Sequence, residues 1–198
     1  MLRLDYSGHG ASGGCFEAGS ISKWTRDALV VIDAATTAPL LLVGSSMGGW
    51  IMLKVALALG QRVRALIGIA AAPDFTRRLL CDELTQDQCA VLERDGRIVM
   101  DSEYDPEGYP LTRIFMEDGE KNLLLDRSIE IDCPVRLLHG MQDQAVPWET
   151  TIRLSQALAG NDVRVHLIKD GDHRLSEPRH LALLGDTISD TLGLLTLG

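Results

Sequence analysis

No cluster of lysine and arginine interrupts the negative balance of this chain, whose formal charge is −9 at pH 7. A surface of phosphates would be repelled, which argues against nucleic acid as a partner. No apolar run reaches the roughly 18 to 20 residues of a membrane span, and Met1 leads into LRLDYSG rather than into an apolar signal core. The chain therefore reads as soluble, with the cytoplasm as the default compartment and the mitochondrial matrix if a targeting segment precedes it. Cys15, Cys81, Cys89 and Cys133 show neither C-x-x-C spacing nor a paired His cluster. That argues against zinc and redox roles and leaves reduced thiols. No repeat, low-complexity tract or linker divides the 198 residues, a length that buries a sizeable core as one domain.

What is present is an alternation of short apolar strands with longer helical segments, the pattern of an α/β fold with a mostly parallel sheet. Strands are expected at Leu2 to Tyr6, Leu40 to Val43, Ala65 to Ala70, Val135 to Leu138 and Val163 to Ile168. Helices are expected after a Ser22 cap with Trp24, Ala28, Leu29, Val31 and Ile32 at helical spacing, from Met47 to Leu59, from Trp148 to Leu158, and from about Glu177 to Leu194. Between Asp74 and about Asp132 the rhythm fails and the segments look helical, with no evident strand. The expected organisation is a single domain, 1–198, with core 1–73 and 132–198 and a lid insertion at about 74–131.

The stretch GSSMGG, between an apolar strand and an apolar helix, contains Gly44-Ser45-Ser46-Met47-Gly48, a G-x-S-x-G. A turn this sharp crowds the backbone around its central residue, so small flanking residues let the Ser46 side chain stand clear of the sheet. A phosphate loop is not supported, because there is no G-x-G-x-x-G and no Gly-Lys-Ser/Thr at the helix start. A bare Gly-rich connector is the competing structural reading.

Serine is a weak nucleophile near neutral pH and needs a base, itself oriented by a carboxylate. In a strand-turn-helix context the partners follow in the order Ser, acid, His, each on a loop after a later strand. Asp143 follows PVRLLHG, and His173 follows VRVHLIKD. His139, at a strand end, reads as packed or bonded to backbone; His166, within a strand, and His180, in the last helix, read as structural. His9, in the first Gly-rich turn, reads as a loop residue, Asp170 as a strand-end solvent residue, and Asp172, beside His173 in an extended loop, as pointing elsewhere.

With these residues in place, LDYSGHGASGG, LLVGSSMGGWIML, CPVRLLHGMQDQAVPW and GDHR resemble the α/β-hydrolase superfamily, and closely its branch of acyl-protein thioesterases and acyl-glucuronide esterases with their bacterial relatives. The resemblance runs over essentially the whole chain. It implies helices on both faces of the sheet, a helical lid, and hydrolysis of fatty-acyl esters or thioesters by Ser46, Asp143 and His173. The Met47 N–H would be one donor to the oxyanion, and no cofactor or metal is called for. Lid residues Phe75, Leu79 and Phe115 are candidates for the acyl chain, against the blander reading that they pack the lid. The partner is a small or protein-linked acyl ester or thioester.

In that family further strands precede the one RLDYSG matches, and a loop among them carries the second oxyanion donor. An N-terminally truncated fold is therefore expected, with a gap or an abnormal pairing between Leu2 to Tyr6 and Leu40 to Val43. A catalytically weak binding protein is the alternative that follows.

Overall fold

In the computed structural model, which describes residues 1–101 and 106–196, the expected alternation takes the following form. The elements are α1 (Ile21–Ala35), β1 (Leu40–Ser45), α2 (Met47–Leu59), β2 (Val63–Ile69), α3 (Phe75–Arg78), α4 (Gln86–Asp95), β3 (Arg97–Met100) and β4 (Tyr109–Thr112). They continue with α5 (Arg113–Lys121), β5 (Val135–Gly140), α6 (Glu149–Ala157), β6 (Val163–Ile168) and α7 (Pro178–Thr196). Two compact units form, one from Met1–Ala35 and Asp74–Leu123, the other from Thr36–Pro73 and Leu124–Gly198.

The second unit holds a parallel sheet in the order β1-β2-β5-β6. Its two faces follow from the period-two alternation of strand side chains. Ile67 of β2 and Leu138 of β5, with Ile69 and Leu41, pack against Leu183, Leu184 and Ile188 of α7. The alternate positions, Gly68 and Leu137, face Met52 of α2 and Ala71. Helices thus cover both faces, and β5 is buried at every position. A strand covered on both sides carries no regular apolar–polar alternation, and in VRLLHG the two polar members, Arg136 and His139, are buried with hydrogen-bond partners. Trp50, Ile51, Met52, Leu53, Val55 and Ala56 are all buried, as expected for a helix apolar around most of its circumference. Each large apolar side chain so enclosed contributes about 1.5 to 3 kcal/mol.

The other unit is organised around Trp24, on the buried stripe Ile21, Trp24, Ala28 and Ile32 of α1. Its ring lies 4.8 to 6.3 Å from those of His9, Phe115, Phe16 and Tyr6, and its Nε1–H donates to the Ser7 carbonyl at 3.0 Å. One local expectation is corrected here. The side chain of Ser20, not Ser22, accepts from the first turn of α1, through Lys23 N–H; the Ser22 N–H instead donates to Asp118.

Leu2 to Tyr6 forms no strand. Its polar groups are spent on the following turn: Asp5 Oδ2 accepts from Ala11 N–H, the Asp5 carbonyl from the Ser12 hydroxyl, and the Tyr6 carbonyl from His9 N–H. The expected abnormal pairing of this segment with β1 is therefore not formed among the described residues. Among the described residues, β1 pairs with β2 alone and forms a sheet edge. The segment expected to lack strands holds an antiparallel pair, β3 with β4, in which Val99 faces Pro110. No helix among the described residues is long and apolar enough to cross a membrane.

Candidate active site

Ser46 lies between the end of β1 and the start of α2 with φ 53° and ψ −125°, left-handed backbone that a serine adopts only under constraint. The constraint is visible in its hydrogen bonds. Ser46 N–H donates to the Ile69 carbonyl at 2.9 Å, and its own carbonyl accepts from Gly49 and Ala72 N–H at 2.9 and 3.0 Å. The first glycine of the motif is required by space, since a Cβ on Gly44 would come within 2.5 Å of the Gly48 carbonyl oxygen. The Ser46 side chain makes no cap to its own helix. It is free to face outward, and the connector reading loses its usual mark.

Asp143 sits on the loop after β5, its side chain fully inaccessible. Oδ1 accepts from Ala145 and Val146 N–H, both at 2.8 Å. Oδ2 accepts from His173 Nδ1 at 2.7 Å and from His139 Nε2 at 3.1 Å. Burial pushes this carboxyl upward, but the hydrogen bonds from His139, His173 and Val146 and the charge of His173 outweigh it. They hold the group below the usual carboxylate range. An ionised carboxylate only accepts, so the proton between it and His173 resides on Nδ1. His173 Nε2 is then the acceptor for the Ser46 hydroxyl, 3.1 Å away.

His173 is placed by a loop whose next turn is fixed by Leu175, buried at 5% exposure against Ile67 and Leu138. Leu175 N–H donates to Asp172 Oδ1, which accounts for Asp172 as a turn residue. The acid and base loops are joined directly: Gln142 N–H donates to the Gly171 carbonyl at 2.9 Å and Met141 N–H to the Ile168 carbonyl at 2.8 Å. They approach so closely at Gly140 that a Cβ there would overlap the Gly171 carbonyl. Gly140→Ala is accordingly expected to cost about 1 to 3 kcal/mol of stability and to part Asp143 from His173. Urea unfolding together with the rate of Ser46 modification measures both, and wild-type values in the two assays would refute the account.

The remaining sequence candidates are placed as follows. Met47 opens α2, so its N–H is among the first-turn donors that lack an intrahelical acceptor. His166 lies within β6, His180 is buried on α7, and His9 belongs to the Trp24 aromatic cluster. Asp170 pairs with Arg179. Phe75, Leu79 and Phe115 lie in the unit of α1, where Leu79 and Phe115 are buried and the rings of Phe75 and Phe115 are 5.7 Å apart. The residues that sequence reasoning missed are His139 as a partner of Asp143, and Thr151, whose hydroxyl meets His139 Nδ1 at 2.6 Å. Their spacing from Asp143 carried no motif. Among the described residues no group of three or more His, Cys, Asp or Glu side chains could hold a metal ion.

A hydroxyl, an imidazole and a carboxylate in series can move the hydroxyl proton onto the ring as the oxygen attacks an electrophile. Their order along the chain, and their positions on the turn and loops after three strands of one parallel sheet, are those of the α/β hydrolases. The hydrolase family described as serine aminopeptidase, S33, matches residues 1–102. A crystal structure of a putative hydrolase from Agrobacterium vitis S4 is 42% identical, with a TM-score of 0.91, over 94% of this chain and 74% of that one. The structure of mouse alpha/beta hydrolase domain-containing protein 10 is 39% identical, with a TM-score of 0.88, over 96% and 76%. The chain belongs to the α/β-hydrolase family. The mitochondrial palmitoyl-protein thioesterase ABHD10 of Homo sapiens is 41% identical over 96% of this chain, which spans 62% of that relative's length.

Proposed function

We propose that this chain is a serine hydrolase that cleaves carboxylic esters and thioesters, fatty-acyl thioesters foremost, through an acyl-enzyme. The observation that carries the reading is the hydrogen-bonded series Ser46, His173, Asp143, with donor and acceptor roles fixed by the ionised carboxylate. The thioester preference is supported by the 41% identical human relative, a palmitoyl-protein thioesterase. That relative is mitochondrial, which is compatible with a mitochondrial compartment here.

In this mechanism Ser46 Oγ attacks the acyl carbonyl carbon as His173 Nε2 takes its proton, giving a tetrahedral oxyanion. The Met47 N–H, at the positive end of α2, is one donor to that oxygen. Collapse breaks the carbon–sulfur or carbon–oxygen bond, and His173 returns the proton to the leaving group. A water deprotonated by His173 then attacks the acyl-Ser46 carbonyl, and a second collapse releases the acid and regenerates Ser46. Asp143 keeps the ring in the Nδ1–H tautomer and stabilises its cation.

The test is labelling of the wild-type chain with a fluorophosphonate probe across a range of pH, with the modified peptide mapped, followed by rates on palmitoyl thioesters. Labelling is expected at Ser46 alone and is lost toward acid pH as His173 is protonated and ceases to be a base. Labelling elsewhere, or a rate independent of pH down to about 4, would overturn the assignment of Ser46 and His173.

A further inference from the structure

His139 is an imidazole with no exposed surface, at the fifth position of a strand whose other buried members include Val135, Leu137 and Leu138. A polar ring at such a place is costly unless its nitrogens are bonded. Both are, and the bonds converge on the loop of Asp143. Nε2 lies 3.1 Å from Asp143 Oδ2 and 3.0 Å from the Val146 carbonyl oxygen. With Asp143 ionised, both partners are acceptors, so Nε2 carries a proton whatever the state of the rest of the ring. Nδ1 meets the Thr151 hydroxyl of α6, which can donate or accept.

We propose that His139 is a positioning residue that clamps the acid of the reaction, with Thr151 of α6 holding the clamping ring in place. The inference rests on the reading of Asp143 as that acid. Four donors surround the carboxylate: two backbone N–H groups on Oδ1, and on Oδ2 the ring of His173 from one side and that of His139 from the other. A terminal carboxyl torsion is intrinsically soft, so the fourth donor fixes the plane in which Oδ2 meets His173. The same Nε2–H ties the carboxylate to the Val146 carbonyl and so closes the turn from 143 to 146. It also draws carboxylate charge away from His173.

The last effect separates a clamp from a space-filler. Once the His139 donor is removed, more negative charge faces His173 Nδ1, the imidazolium is favoured, and His173 protonates at higher pH. A side chain that only filled space would leave that midpoint unchanged on replacement, and one whose removal loosened the loop would lower it.

The experiment compares wild type with His139→Leu and His139→Gln, reading the His173 ring titration by NMR, fluorophosphonate labelling against pH, and thermal unfolding. In His139→Leu the His173 midpoint is expected to rise. Labelling on the alkaline plateau is expected to slow about tenfold, the scale of one hydrogen bond to a charged group. His139→Gln, which keeps an N–H donor, is expected to recover most of both. A folded His139→Leu protein with a wild-type or lowered midpoint overturns the proposal.

Should His139→Leu fail to fold, Thr151→Val decides: a smaller shift in the same direction, restored by Thr151→Ser, supports the clamp, and no shift overturns it. If the wild-type chain does not label at all, the serine-hydrolase reading fails, while the NMR comparison still judges the link between His139 and His173.

Discussion

Ser46→Ala is expected to abolish covalent fluorophosphonate labelling and to lower turnover of an acyl thioester by roughly 10⁶-fold, about 8 kcal/mol of transition-state stabilisation. The fold should be almost indifferent to the change. Ser46 makes no cap to α2, the substitution breaks its side-chain hydrogen bond to His173, and alanine in the same left-handed backbone carries the same Cβ. The cost in stability is therefore about 1 kcal/mol or less. Intact mass after exposure to the probe, turnover and a urea curve on the same preparation separate the two effects. A covalent adduct on purified Ser46→Ala protein, or turnover within tenfold of wild type, would mean that another residue is the nucleophile.

Asp143→Asn is the second large effect, and here the backbone dictates which way the new side chain points. Ala145 and Val146 N–H both donate to the Oδ1 position, so the amide must place its oxygen there and its NH₂ where Oδ2 was. That NH₂ then faces the Nε2–H of His139 and the Nδ1 of His173. Two donors oppose one another at His139, and His173 is driven to the tautomer whose Nε2 bears the proton and cannot accept from Ser46. Turnover is expected to fall about 10⁴-fold.

Stability should fall as well, by about 1.5 to 3 kcal/mol for each charge-assisted bond not replaced. The sign of its pH dependence follows from the carboxyl being held low in the folded state. Its ionisation favours folding above the ordinary carboxylate range, and this contribution drains away as acid protonates it. The gap between wild type and Asp143→Asn in urea should therefore be widest near neutrality and shrink toward acid pH. An Asn variant with near wild-type turnover would remove Asp143 from the mechanism.

The sheet of the second unit was legible because its strands are buried on both faces, so apolar runs such as LIGI and VRLL carry the signal without alternation. The acid and base positions followed from the order of motifs after those strands. Leu2 to Tyr6 misled because LRLDY alternates like a strand, while whether a strand forms depends on where its backbone bonds go. The Asp5 and Tyr6 carbonyls bond within the next turn. The β3–β4 pair was hidden for the opposite reason: Pro110 argues against a strand, yet it sits opposite Val99 in a two-stranded ribbon, where a missing N–H can be tolerated. His139 lies four residues before Asp143, and a strand-end histidine before a loop carries no mark of its partner. The hydrogen bond to Oδ2 exists only because the loop from 143 to 146 folds back over the end of β5.

The joining of the acid and base loops at Gly140 and Gly171 couples the mobility of two groups that lie 30 positions apart in sequence. Moving either loop would break amide hydrogen bonds to the other, so the positions of Asp143 and His173 are set jointly rather than one at a time.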